Sequence, residues 1–161
     1  FHHNQDINEL IEELPWVDVA YLDPPYNQHP YGSNYFMLNT ILKNEASDNL
    51  SKVSGIPKDW QKSNYNYKVR AQESMTKLLK NIRASYIILS YNNEGIISKP
   101  ELITMFEELD LDWNLREIEY QTYRGSRNLK DRQNKVTEYI WILHKMYDVE
   151  EHECILPIDK W

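Results

Sequence analysis

The chain has 161 residues and a mass of 19.4 kDa, the size of one domain. It is 41% hydrophobic and 27% charged, enough to bury a core and not disordered by composition, and it has no apolar run near the roughly 18 residues that a membrane helix needs. A single cysteine, Cys154, excludes an intrachain disulfide and suits a reducing cytoplasm, while a net charge of -7 excludes a wholly basic nucleic-acid coat. The start, Phe1-His2-His3-Asn4-Gln5-Asp6, lacks the basic and apolar stretches of a signal peptide.

Ile7, Leu10, Ile11 and Leu14 follow helical spacing, so a helix is expected over about 6–14, with Asp6 and Glu9 at capping-box spacing and Pro15 ending it. Residues 16–22, Trp-Val-Asp-Val-Ala-Tyr-Leu, read as a buried strand. Ser33 to about Lys43 reads as a helix carrying Phe36, Met37, Leu38, Ile41 and Leu42. Residues 44–67 are polar and contain Gly55 and Pro57, a long irregular connection of the kind that is usually functional or mobile. A helix over about 68–82 has Val69, Ala71, Met75, Leu78, Leu79 and Ile82 on its apolar side, and residues 84–90 form a second buried strand. Ser98-Lys99-Pro100-Glu101 is a helix start, with Ser at the N-cap, Glu three residues on and Pro in the first turn; Leu102, Met105, Phe106 and Leu109 are its core face. Leu115–Tyr123 and Val136–His144 read as strands around a basic loop.

Two strand–helix–strand crossovers imply an α/β fold with parallel strands, and the last two strands are close enough for an antiparallel hairpin. The charge is uneven along this order. Residues 1–23 hold six carboxylates and no Lys or Arg. Residues 52–70 hold Lys52, Lys58, Lys62, Lys68 and Arg70 against Asp59, and residues 124–135 hold Arg124, Arg127, Lys130, Arg132 and Lys135 against Asp131. The stretch 148–161 is acidic again and reads as a tail. The two basic segments are either solvated loops or phosphate contacts.

The sharpest local feature is Asp23-Pro24-Pro25-Tyr26, directly after the first strand. Ligands of open α/β sheets bind beyond the carboxyl ends of the strands. Asp23 is there as an acceptor-only group, and Pro24 and Pro25 have fixed φ and no N–H, so this backbone offers carbonyls and no donors. Tyr26 adds a flat face. Rigid acceptors beside an aromatic ring suit an exocyclic amine on a planar base; the alternative is an ordinary strand-to-loop turn.

The run Tyr21-Leu22-Asp23-Pro24-Pro25-Tyr26-Asn27-Gln28-His29-Pro30-Tyr31-Gly32-Ser33-Asn34-Tyr35 resembles motif IV and its surroundings in the Dam-like class of adenine-specific DNA methyltransferases. Ser90-Tyr91-Asn92, the Tyr123-Arg124 run and the Glu138-Tyr139-Ile140 strand are similar to later parts of that class, so the resemblance covers about residues 4–145. It implies a partial Rossmann-like S-adenosylmethionine-dependent methyltransferase sheet with helices on both faces. It also implies S-adenosylmethionine as methyl donor and a flipped adenine in double-stranded DNA as acceptor. By the same resemblance Asp23 and the Pro24 carbonyl accept the two amine hydrogens, with Pro25 keeping the turn rigid. Tyr26 stacks on the base, Asn92 walls its pocket, and Asp6 accepts from the cofactor's adenine amine. Asp23 also borders the cofactor. Asp6 as a helix cap and Asn92 as a turn residue are the alternatives. Lys62, Lys68, Arg70, Arg124, Arg127 and Lys130 become DNA contacts.

Four glycines, Gly32, Gly55, Gly95 and Gly125, form no Gly-x-Gly, whereas this class carries a glycine-rich cofactor loop before its Asp-Pro-Pro-Tyr run. The chain is therefore expected to be the C-terminal catalytic half, residues 1–147 with an irregular, DNA-facing stretch at 44–70, of a protein whose N-terminal half is its partner. Left open are a non-catalytic binding fragment and an amino-methyltransferase acting on cytosine or RNA. His2 and His3 would point to opposite faces of a strand, and Glu151-His152-Glu153-Cys154 has no second ligand cluster at suitable spacing, so no metal is expected.

Overall fold

A computed structural model describes residues 2–45, 47–58, 62–121 and 135–145. In chain order the strands are β1 (Val17–Leu22), β2 (Ala84–Asn92), β3 (Leu111–Gln121) and β4 (Lys135–Lys145). They pair in the order β1-β2-β4-β3. β1 runs parallel to β2, and β4 is antiparallel to both β2 and β3, so β3 also runs parallel to β2 with β4 between them. Both crossovers thus connect strands of the same direction, and the expected terminal hairpin is present. β3 begins at Leu111, four residues before the predicted start, through a turn in which Asp110 takes a left-handed φ of 53°.

The helices are α1 (Ile7–Leu10), α2 (Tyr31–Asn34), α3 (Phe36–Lys43), α4 (Lys68–Asn81) and α5 (Lys99–Glu108). α1 is shorter than the spacing predicts, because its end tightens into an i→i+3 bond, Glu13 N–H to the Leu10 carbonyl, before Pro15. The helix expected over 33–43 is two, broken at Tyr35, whose φ of -112° is outside the helical range. Asn44, in the left-handed region at φ 51°, closes α3. α5 starts as expected: Glu101 Oε2 accepts from both the N–H and the hydroxyl of Ser98 at 2.7 Å, with Pro100 in the first turn.

Side chains alternate across a sheet, and the register settles which face is covered. Ala20, Ile87, Leu143 and Trp113 share one face, as do Leu22, Leu89, Trp141 and Leu115. Against this face α4 packs Ala71, Met75, Leu78 and Leu79 and α5 packs Leu102, Met105 and Phe106, making one core cluster. The Phe106 ring meets Trp141 edge-on at 5.1 Å. Burying a large apolar side chain contributes about 1.5–3 kcal/mol, so this layer holds the fold together. Val69, expected on the apolar side of α4, is instead 91% exposed, because it lies off the 71-75-78-79 stripe.

The other face differs from expectation. Val19, Tyr21, Tyr86, Ile88, Ile140 and Ile142 point that way, and none of them packs against the core cluster. Among the described residues the core helices therefore cover one face, not both. Val17, Val19 and Tyr21 of β1 share this bare face by alternation and are exposed rather than buried, while Ala20 and Leu22 of the same strand pack on the core. The apolar run predicts cover on both faces of the strand, and the described core helices supply it on one.

Candidate active site

The acceptor-rich turn lies where the fold places a ligand, beyond the carboxyl ends of parallel strands. Asp23 follows the last residue of β1 and is exposed, while Pro24 is buried and Pro25 and Tyr26 are half-buried. Asp6, Asp23, Pro24 and Pro25 line one cleft of about 560 Å³, together with Asn4, Tyr21, Lys62 and Tyr65. Three segments, 4–7, 21–25 and 62–65, are thus brought to one cavity. Asp6 also caps α1, its Oδ1 accepting from Asn8 N–H at 2.8 Å. The cap and the cleft position hold at the same time.

Tyr26 leans on the core: its ring meets Tyr91 edge-on at 6.2 Å, and its carbonyl accepts from Ile96 N–H at 2.8 Å. Burial raises the Tyr26 phenol above its usual pKa, and the nearby Tyr120, Glu138, Tyr31 and Asp23 add to the effect. Tyr31 is raised the same way, by burial and then by Asp23, Tyr35 and Tyr21. These phenols stay neutral at physiological pH. Tyr31 and Tyr35 stack at 6.0 Å, so an aromatic group surrounds the acceptor turn.

At the end of β2, Asn92 is buried and its Oδ1 accepts from Glu94 N–H at 3.0 Å, the turn role foreseen as the alternative. Ser90 donates to Glu138 Oε1 at 2.8 Å on β4; neither was assigned a role in the sequence. Gly95 lies so close to the Tyr91 ring that an added Cβ would stand 2.8 Å from Cδ1 and 2.9 Å from Cζ.

The predicted cations divide. Lys62 lines the cleft, and Lys62 and Arg70 approach the Tyr67 ring at 5.7 and 5.2 Å. Lys68 and Arg70 are exposed on the first turn of α4. Arg124, Arg127 and Lys130 lie outside the described residues, as does Glu151-His152-Glu153-Cys154. Among the described residues no three His, Cys, Asp or Glu side chains cluster as metal ligands, and no helix is long and apolar enough to cross a membrane.

The sequence reading missed the turn at Asn64–Asn66. Ser63 and Asn66 cap it reciprocally: Ser63 N–H donates to Asn66 Oδ1 at 3.1 Å, and the Ser63 hydroxyl accepts from Tyr65 N–H at 3.3 Å. The buried Tyr65 hydroxyl accepts from Asn8 Nδ2 and donates to the Ser74 carbonyl, each at 3.2 Å. The signal available was Ser63 three residues before an amide side chain, a cap spacing inside a stretch read as irregular.

Comparison with known proteins adds a family. The model of the D12 class N6 adenine-specific DNA methyltransferases matches residues 1–105. Modification methylase StsI of Streptococcus sanguinis is 38% identical over 136 residues, 81% of this chain and 20% of that protein. Type II methyltransferase M.NlaIII of Neisseria lactamica is 32% identical over 147 residues, 90% of this chain and 43% of that protein. Type II methyltransferase M.CviAII of Paramecium bursaria Chlorella virus 1 is 37% identical over 105 residues, 65% of this chain and 30% of that protein. The chain thus spans less than half the length of these relatives. No solved structure matches it.

Proposed function

Because the chain belongs to the D12 class of N6 adenine-specific DNA methyltransferases, we propose that it carries the methyl-accepting side of such an enzyme. The reaction is transfer of a methyl group from S-adenosylmethionine to the exocyclic amine of adenine in DNA, in a restriction–modification setting like that of its relatives' names. We take the sheet as part of a Rossmann-like methyltransferase sheet. The bare sheet face and the open edge of β1 suit packing by the remainder of such an enzyme. The cytoplasm is the compartment we assign.

The observation that supports this reading best is the shared cleft. Asp6 and Asp23-Pro24-Pro25 line one open cleft whose volume is in the range of small-molecule sites. That cleft fits the cofactor: its carboxylates suit a sulfonium cation and an adenine amine, and Leu22, Pro24 and Pro25 give apolar wall. Asp6 and Asp23 would hold the cofactor, which when bound supplies an electrophilic methyl group. The chain's own residues handle the acceptor. An adenine amine has its lone pair delocalised into the ring and is a poor nucleophile. Asp23 and the Pro24 carbonyl accept its two hydrogens and bias the nitrogen toward a tetrahedral shape with its lone pair aimed. Asp23 stabilises the positive charge that develops there. This is positioning and electrostatics, with no covalent enzyme intermediate. Tyr26 supplies the stacking face and Asn92 a wall. Lys62, Lys68, Arg70, Arg124, Arg127 and Lys130 are assigned to the DNA phosphates.

Single-turnover methylation of an adenine-containing duplex by the full-length enzyme tests this. Asp23→Ala should lower the rate on the order of a hundred- to a thousandfold. Asp23→Asn, which keeps an oxygen acceptor, should retain more. Equal rates for wild type and Asp23→Ala would remove the mechanism.

A further inference from the structure

The Asp-Pro-Pro-Tyr turn is not held by its own backbone donors. Pro24 and Pro25 have no N–H, so donors from elsewhere to the loop's carbonyls weigh more in holding it. Two such donors are present. Ile96 N–H reaches the Tyr26 carbonyl at 2.8 Å, and the Asn66 side-chain amide reaches the Asn27 carbonyl at 2.7 Å across 39 residues of sequence. Asn66 is 5% exposed, and its Oδ1 is engaged by Ser63 N–H, which fixes the amide's orientation. The neighbouring Tyr65 takes Asn8 Nδ2, and the Asn8 backbone N–H is the donor to Asp6. One capped turn therefore touches both segments that carry the cleft's carboxylates.

We infer that Asn66 is a positioning residue for the Asp23–Tyr26 loop, and that the 63–66 turn clamps the cofactor side and the base side of the cleft into one geometry. The segment expected to be part of an irregular, DNA-facing insertion is, at 63–66, an internal brace. A loop carrying a reacting carboxylate must be placed closely, since about 1 Å of misplacement costs on the order of a hundredfold in rate. The inference rests on the methyl-transfer reading above.

Asn66→Asp separates the brace from the cap. It keeps an oxygen for Ser63 N–H and sets an acceptor, not a donor, against the Asn27 carbonyl. Asn66→Ala removes the donor without adding charge. In single-turnover methylation by full-length protein, amplitude reports the properly folded fraction and the rate constant reports geometry within it. Asn66→Asp and Asn66→Ala should lower the rate constant about ten- to a hundredfold at near wild-type amplitude. A wild-type rate constant in Asn66→Ala overturns the proposal, as does a loss confined to amplitude. Where Asn66→Asp yields no folded protein, Asn66→Ala decides. Asp23→Ala runs alongside: if it is slow while the Asn66 variants are not, only the brace fails, and if it is as fast as wild type, the methyl-transfer reading itself fails.

Discussion

Tyr65 should contribute to a fall of the protein's stability in alkali, and Tyr65→Phe should remove its share. The ring is 4% exposed, and burial pushes its phenol up to about 12; the Asn8 hydrogen bond offsets part of this and Asp6 adds to it. In the unfolded chain the phenol titrates near 10. Between these values the unfolded state releases the proton and the folded state keeps it, so stability is full below pH 10 and is lost as pH rises toward 12. At about 1.36 kcal/mol per pH unit, the loss is about 1.4 kcal/mol at pH 11 and approaches about 2.7 kcal/mol above pH 12. At neutral pH, Tyr65→Phe removes two hydrogen bonds and leaves the buried Asn8 amide without its phenol, a cost of about 1–3 kcal/mol. Urea unfolding of both full-length proteins between pH 8 and 11 measures the gap. Lys145 gives an opposite slope: burial pushes its ammonium down to about 8, so stability rises with pH from there toward about 10.4. Being common to both proteins, it cancels in the difference. The gap should be widest at pH 8–9 and narrow by about 1.4 kcal/mol at pH 11. A gap that stays constant would show that Tyr65 does not titrate differently in the two states.

Gly95→Ala would drive a Cβ into the buried Tyr91 ring, whose hydroxyl accepts from Ile97 N–H, and should cost about 1–3 kcal/mol in thermal or denaturant unfolding; because Tyr91 supports Tyr26, methylation should fall as well. Phe106→Ala opens a cavity beside Trp141 and should cost about 3–5 kcal/mol by the same measurement. Ser98→Ala breaks the capping box of α5 and should cost about 1 kcal/mol. Arg124→Ala in the full-length enzyme should reduce the slope of log DNA affinity against log salt by about one, and an unchanged slope would remove Arg124 from the phosphate contacts.

What could be read in the sequence was whatever neighbours in sequence decide. The Ser98–Glu101 start of α5, its Leu102-Met105-Phe106 face and the final hairpin are local or periodic signals, and the structure has them. Asp23 at a strand end was legible because Pro-Pro punctuates the end of an apolar run. What was not legible depends on distant partners. The exposure of Val17, Val19 and Tyr21 follows from the described helices covering one face of the sheet, and residue type cannot report that. The Tyr65–Asn8 bond spans 57 residues and the Asn66–Asn27 bond 39, so nothing local marks either. Val69 failed for a smaller reason: one helical position off the buried stripe is enough to expose a side chain.

The position of β4 has a consequence for how the domain assembles. The last of the four described strands is not at the sheet's margin but between β2 and β3, which do not pair with each other. During synthesis β2 can join β1, and α5 with β3 can follow, yet the two halves have no shared seam until residues 135–145 emerge. Trp141, fully enclosed and in ring contact with Phe106, Trp113 and Tyr139, closes that seam. Until β4 is made, the nascent chain holds a divided, partly open apolar layer, a state exposed to aggregation. Shortening β4 therefore loosens the join between β2 and β3 and does not merely trim an edge.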